Sequence, residues 1–210
     1  MDYVDDIVND LDQFAVSEIM KYNIPTLDNY NDVVNVAIEL GKKLNANLSV
    51  IKLGSRFLDI KLGEATNEKK INEHITKSLG FAKEFLSKYP FEEDVKQKVF
   101  ACIMEHHCKK FSYIESEICA NADCYKFLVP KKILRMFYNW KQRGYNFEEI
   151  FLLAEEKVEE RWSALTLDVC KKELEDNYNK IKEFLSLARK DPISFVSVIN
   201  KKEKKFVDGE

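Results

Sequence analysis

The chain has 210 residues and a formal net charge of −3, with 45% hydrophobic and 33% charged residues. These values are typical of a soluble globular protein with a sizeable core, and the weak net charge gives no electrostatic basis for binding nucleic acid or an anionic membrane. No apolar run approaches the ~20 residues of a membrane span. The acidic start MDYVDDIVND lacks the basic segment of a secretory signal, so we predict a cytoplasmic protein.

Helical periodicity dominates the chain. In chain order, apolar residues at helical spacing mark the segments 33–44, 71–85, 95–106, 114–122, 147–162 and 170–188. The segment SVIKLGSRFLDI at 49–60 is apolar enough for a strand, but we predict a buried helix in this helical context. All four prolines fall between these segments, where they disturb helices least. We predict an all-α fold: a single-domain bundle of seven to ten helices at 20–190, a helical extension at 1–19 and a tail at 191–210.

The cysteines and the basic tail predict little function. Five cysteines are an odd number without a C-x-x-C pair, which favours free thiols in a reducing compartment. The segment CIMEHHC at 102–108 offers zinc ligands, but its spacing fits no standard zinc finger. The basic run NKKEKK at 200–205 is typical of a solvated tail rather than of a binding patch.

Four polar residues interrupt apolar helix faces. Asp59 lies in an apolar stretch, His74 and His106 lie on or near apolar stripes, and Asp123 follows Ala122 beside other apolar residues. A single histidine of this kind is usually a hydrogen-bonded core residue. Two aspartates and two histidines that point inward from separate helices instead indicate a site, because helical bundles build metal and phosphate sites from such groups.

The order and spacing of these residues resemble the HD-domain phosphohydrolases, an all-helical superfamily. The resemblance covers about residues 20 to 190. It is carried by the ordered segments NYNDVVNVAIEL (29–40), FLDIKLGE (57–64), NEHITKSLGFAKEFL (72–86), KVFACIMEH (98–106) and CANADCYKFL (119–128).

The resemblance implies a metal site with two ligands missing. In the family, a first His, a His-Asp doublet and a final Asp bind one divalent metal, which activates water and polarises a phosphate ester. Here Asn29 and Leu58 stand at the two histidine positions, and Asp59 and Asp123 remain. His74 and His106 match family residues that help to hold a second metal or the substrate phosphate. A further departure is Leu62, where many members have Glu or Lys.

These departures weaken the expected metal site. Leucine cannot bind metal, and Asn29 offers one carbonyl oxygen, which suits Mg²⁺ or Ca²⁺ better than iron or zinc. Asp28 or Asp32 could supply a carboxylate instead. We expect no tightly bound transition metal, and at most weak Mg²⁺ or Mn²⁺ binding.

Three functions follow from the same residues. The first is a degenerate HD-like protein with weak or no hydrolase activity, which keeps a pocket for a phosphate-containing small molecule. The second is an active phosphohydrolase with a reworked, oxygen-rich metal site. The third is a helical interaction protein without catalysis. In a site without metal, Arg56, Lys126 or His74 would pair with the two aspartates.

His107, rotated by about 100° from His106 on an ideal helix, should point away from the site.

Overall fold

The computed structural model describes residues 3–190; the predicted tail at 191–210, with its basic run, lies outside them. Within this range the chain forms helices and turns and no strand, which confirms the all-α prediction. The segment that could have been a strand is a helix. The described helices are α1 (Tyr3–Tyr22), α2 (Leu27–Lys43), α3 (Leu48–Phe57), α4 (Leu62–Asn67), a 3₁₀ helix (Ile71–Glu73), α5 (His74–Leu86), α6 (Glu93–Glu105), α7 (Ile114–Leu128), α8 (Pro130–Gln142), α9 (Phe147–Ala164) and α10 (Asp168–Lys190).

Side-chain caps set the starts of α2 and α3. Thr26 accepts a hydrogen bond from the backbone N–H of Asn29 at 3.4 Å. The Asn47 side chain accepts from the N–H groups of Ser49 and Val50, at 3.0 and 3.3 Å. Such caps satisfy N–H groups that have no partner inside the helix. They therefore fix where α2 and α3 begin.

The described residues divide into two compact units, the first made of 3–126 and 164–171 and the second of 127–163 and 172–190. Helix α3 is central in the first unit, where it packs against α1, α2, α5 and α6. Four of its apolar residues are fully buried: Val50, Ile51, Leu53 and Phe57. A Cβ atom at Gly54 would lie 2.7 Å from the Cys102 sulfur, so the close contact between α3 and α6 requires glycine here.

The segment 164–171 is tied to the first unit by a buried amide. The Asn121 side-chain oxygen accepts from the N–H groups of Thr166 and Leu167 at 3.1 and 3.2 Å. Its NH₂ group donates to the Thr166 hydroxyl and to the Glu117 carbonyl, both at 2.9 Å. One fully buried side chain thus holds the backbone that leads into α10.

In the second unit, aromatic contacts join α8, α9 and α10. The Phe137 ring lies 5.2 Å from the Phe151 ring and 6.2 Å from the Phe184 ring. Trp162 and Tyr178 stack with their ring centres 4.2 Å apart. Phe151, Trp162 and Tyr178 lie on the apolar faces that the helical spacing predicts for 147–162 and 170–188, whereas the spacing predicts no segment at α8. From Tyr3 to Lys190, no helix combines the length and the hydropathy that crossing a bilayer would require.

Candidate functional site

The site begins where α3 ends. Leu58 follows the last residue of α3 and buries its side chain, which is 2% exposed. Asp59 lies in the turn before α4, where its backbone carbonyl accepts from the Leu62 N–H at 3.0 Å. Its carboxylate keeps 16% of its side-chain surface exposed. Because α3 ends here, the two residues at the family's His-Asp positions have different surroundings. Leu58 packs in the core, and Asp59 lies among polar groups.

Lys126 links the two aspartates. Its ammonium Nζ lies 3.3 Å from Asp59 Oδ2 and 2.6 Å from Asp123 Oδ1, so these two oxygens are at most about 6 Å apart. Asp123 and Lys126 lie one turn apart on α7, and the Asp123 carboxylate is 1% exposed. We call these three residues the aspartate–lysine bridge. The structure thus brings Asp59 and Asp123 together, as their inward-facing positions predict.

Arg56, another candidate partner, faces elsewhere. Its guanidinium binds Asp12 of α1 through Nε at 2.8 Å and Nη2 at 3.1 Å. Arg56 lies three residues before Asp59, but α3 ends between them, so the two side chains do not follow one helical face. Sequence proximity to Asp59 was therefore a poor guide, and the partner comes from α7, 67 positions along the chain.

His74 and His106 complete the surroundings of Asp59. The Nε2 atom of each imidazole lies 3.7 Å from Asp59 Oδ1. This separation exceeds hydrogen-bond length, so the interaction is electrostatic. Each Nδ1 lies 2.7 Å from a backbone carbonyl, of Ile71 and Ile103 respectively. Because a carbonyl only accepts, each Nδ1 donates its proton to that carbonyl, and each Nε2 faces Asp59.

His107 belongs to the same group, which corrects the expectation that it would point away. The ligand nitrogens of His74, His106 and His107 all lie within 4.8 Å of one another. The expectation assumed that α6 continues, but α6 ends at Glu105, and His106 already has the non-ideal ψ of −12°. Beyond that point a rotation of 100° per residue no longer applies. We call these residues the three-histidine cluster.

The charges around Asp59 keep it ionised. Burial on its own raises the pKa of the Asp59 carboxyl, but the Lys126 ammonium and the nearby imidazoles outweigh it. The pKa of Asp59 therefore lies well below its ordinary value. A buried carboxylate is costly without such compensation.

Other candidate ligands from the sequence are Asn29 and the cysteines of 102–108. Asn29 is in the first turn of α2, half-buried, and none of its described contacts reaches Asp59. Cys102 is fully buried against Gly54, and the Cys108 sulfur lies 3.9 Å from the Met104 carbonyl. Among residues 3–190, the group that could hold a metal contains the three histidines and no cysteine.

The two halves of the site differ in their fit to a metal ion. At the aspartate–lysine bridge, Leu58 offers no donor and an ammonium already lies between the carboxylates, so a divalent cation does not fit without displacing Lys126. The three-histidine cluster does fit, because imidazole nitrogens are ligands that zinc, nickel and iron prefer. Within residues 3–190, the buried Nε2 of His106 has no hydrogen-bond partner.

Comparison with known proteins identifies the fold. No protein-family model and no curated protein matches the chain. Among solved structures, a predicted HD superfamily hydrolase from an uncultured Thermotogales bacterium matches with a TM-score of 0.63 and 17% identity, over 86% of this chain and 88% of that one. Bacillus subtilis YpgQ in complex with ADP matches with a TM-score of 0.64 and 14% identity, over 88% and 96%. The protein therefore has the all-α fold of the HD superfamily, as the sequence motifs predict.

Proposed function

We propose that this protein binds a small phosphate-containing molecule and does not hydrolyse it by the metal-dependent route expected of the HD fold. The observation that carries the proposal is the Lys126 ammonium, 3.3 Å from Asp59 and 2.6 Å from Asp123. It supplies positive charge between the two carboxylates that remain of the expected ligand set. An internal cation at this position makes a bound ion unnecessary for balancing those charges.

The energetics support this assignment. A divalent ion at the bridge would have to expel an ammonium that is itself only 14% exposed, and would then find two protein carboxylates but no imidazole from position 29 or 58. Two carboxylates hold Mg²⁺ weakly and with several waters. Moving Lys126 would also break two charge-assisted hydrogen bonds. The intact bridge is therefore the favoured state.

The ligand class is supported by the accessible side of the site and by the fold. His107 is exposed and His74 is 12% exposed, so imidazole groups reach the surface beside the buried bridge. Imidazoles donate hydrogen bonds to phosphate oxygens when they are protonated. The similar structure of YpgQ was determined with ADP. These observations favour a nucleotide or a related phosphate compound.

The test combines metal content with binding and turnover. Protein purified without chelator should contain no stoichiometric iron, manganese, nickel or zinc by mass spectrometry. Calorimetry should detect ADP binding, while phosphate release from ADP in Mg²⁺ or Mn²⁺ stays at the level of an Asp59→Asn control. Stoichiometric metal together with turnover that disappears in the control would refute the proposal.

A second candidate function is supported by the three-histidine cluster. Its three ligand nitrogens within 4.8 Å, with two Nδ1 atoms held by backbone carbonyls, are suited to a divalent transition metal. A bound ion would supply Lewis-acid polarisation of a phosphate ester. Asp59 would neutralise part of the ion's charge, and Lys126 would stay with the carboxylates. This candidate is an active phosphohydrolase with a relocated metal site.

One pair of variants separates the two candidates. His107→Ala removes a ligand from the cluster but leaves the aspartate–lysine bridge untouched. If the protein is a relocated-metal enzyme, this variant should lose zinc or manganese binding by at least tenfold together with turnover. If the protein binds phosphate compounds without hydrolysing them, His107→Ala should change neither metal content nor phosphate release. The control is Lys42→Ala, a substitution of an exposed lysine outside the site.

A further inference from the structure

The loop between α6 and α7, residues 106–113, connects the site to the surface. It begins with His106 and His107, whose rings lie 4.0 Å apart within the three-histidine cluster. It continues with Cys108, Lys109 and Lys110, all of them exposed. Since consecutive Cα atoms are 3.8 Å apart, the Lys109 Cα lies within about 7.6 Å of the His107 Cα. Lys109 and Lys110 are therefore close in space to the exposed His107.

Glu105 holds the loop at both ends, through its carboxylate and its backbone carbonyl. Glu105, the last residue of α6, accepts hydrogen bonds from the Ser112 N–H at 2.9 Å, the Ser112 hydroxyl at 2.6 Å and the Ser116 hydroxyl at 2.7 Å. Its backbone carbonyl accepts from the Cys108 N–H at 2.7 Å. A loop closed in this way keeps its lysines near the cluster and reduces the entropy lost when they bind a ligand.

Lys109 and Lys110 form no ion pair with the described residues, whereas Lys126 lies between two aspartates. The bridge combines one positive with two negative charges and so does not attract an incoming anion, whereas the two lysines of the loop do. A ligand with one phosphate at the imidazoles would still leave these two cations available for a second phosphate.

We infer that the α6–α7 loop is the phosphate-recognition element of this protein, and that Lys109 and Lys110 select ligands with two or more linked phosphates over monophosphates. The inference rests on the proposed phosphate-binding function and adds a ligand class to it. In this arrangement, the first phosphate lies at the imidazoles of the cluster and the next one lies toward the loop lysines. The bridge orients the site without contacting the second phosphate.

The test uses inorganic phosphate and pyrophosphate as probes in calorimetric titrations of the full chain. The variant Lys109→Gln with Lys110→Gln should bind pyrophosphate at least tenfold more weakly and phosphate no more than about threefold more weakly. Its matched control is Lys42→Gln with Lys43→Gln, an adjacent exposed pair at the end of α2 with the same change in charge. The control should bind both probes like the wild type.

The outcomes distinguish this inference from the proposed function. If the wild type binds phosphate and pyrophosphate equally well, or if both lysine pairs weaken pyrophosphate binding equally, the loop is not the selective element and the inference is wrong, while phosphate binding stands. If the wild type binds neither probe, both the inference and the proposed ligand class fail. Far-UV circular dichroism of each variant shows that a loss of binding does not come from unfolding.

Discussion

Replacing Lys126 with methionine should destabilise the protein and make its stability depend on pH in a new way. Methionine keeps most of the apolar stem but removes the charge between Asp59 and Asp123. Removing one partner from a buried ion pair typically costs 3–5 kcal/mol, because the other charge remains buried. Asp59 and Lys126 are 16% and 14% exposed, so partial solvation should reduce the cost to about 2–3 kcal/mol.

The pH dependence follows from the sign of the pKa change. Without Lys126, we expect burial to outweigh the two imidazoles and to raise the pKa of Asp59 above that of the unfolded chain, so stability should fall as the pH rises from about 4 toward the raised value. Urea unfolding followed by circular dichroism should therefore show a larger deficit at pH 8 than at pH 5. Lys180→Met breaks an exposed pair with Asp176 and should cost about 0.5 kcal/mol at either pH. A Lys126 deficit no larger than this control, or one that grows toward pH 5, would refute the reasoning.

Three further predictions concern stability measured by the same unfolding assay. Gly54→Ala should lower the free energy of unfolding by about 1–3 kcal/mol, because its Cβ would lie 2.7 Å from the Cys102 sulfur, and Gly80→Ala, with open space around it, is the control. Asn121→Ala should cost about 2 kcal/mol, because two backbone N–H groups lose their acceptor; a change below 0.5 kcal/mol would contradict it. In the wild type, the low pKa of Asp59 stabilises the fold above a pH of about 4, and this stabilisation is lost as the pH falls below that value. Asp59→Asn lacks this carboxyl, so its stability should fall less than that of the wild type on acidification.

The helices were predictable because their signal is local. Apolar residues repeated at helical spacing, interrupted at prolines, identify most of the helices, and the structure confirms them. The segment that becomes α3 was ambiguous because Leu53, Gly54 and Ser55 are all buried, and its charged side chains within the helix are Lys52 and Arg56 alone. Its helical neighbours were the better guide.

The site was predictable in part, for a different reason. Asp59, His74, His106 and Asp123 could be recognised because each is polar on an apolar face. The positions of His107 and Lys126 depend on features that spacing does not report. His107 joins the cluster because a helix ends one residue earlier than the periodicity indicates. Lys126 was one of three candidate partners, and only tertiary packing decides which cation reaches the two carboxylates.

The order of protein synthesis gives the buried amide of Asn121 a further consequence. Its partner Thr166 is 45 residues later in the chain, beyond α8 and α9. At about 5 to 20 residues per second, a ribosome needs about 2 to 9 seconds to translate this interval. Asp123 and Lys126 lie on the same helix, α7, as Asn121. All residues of the candidate site have therefore been translated by position 126, but the helix that carries two of them gains its anchor only when position 166 has left the ribosome.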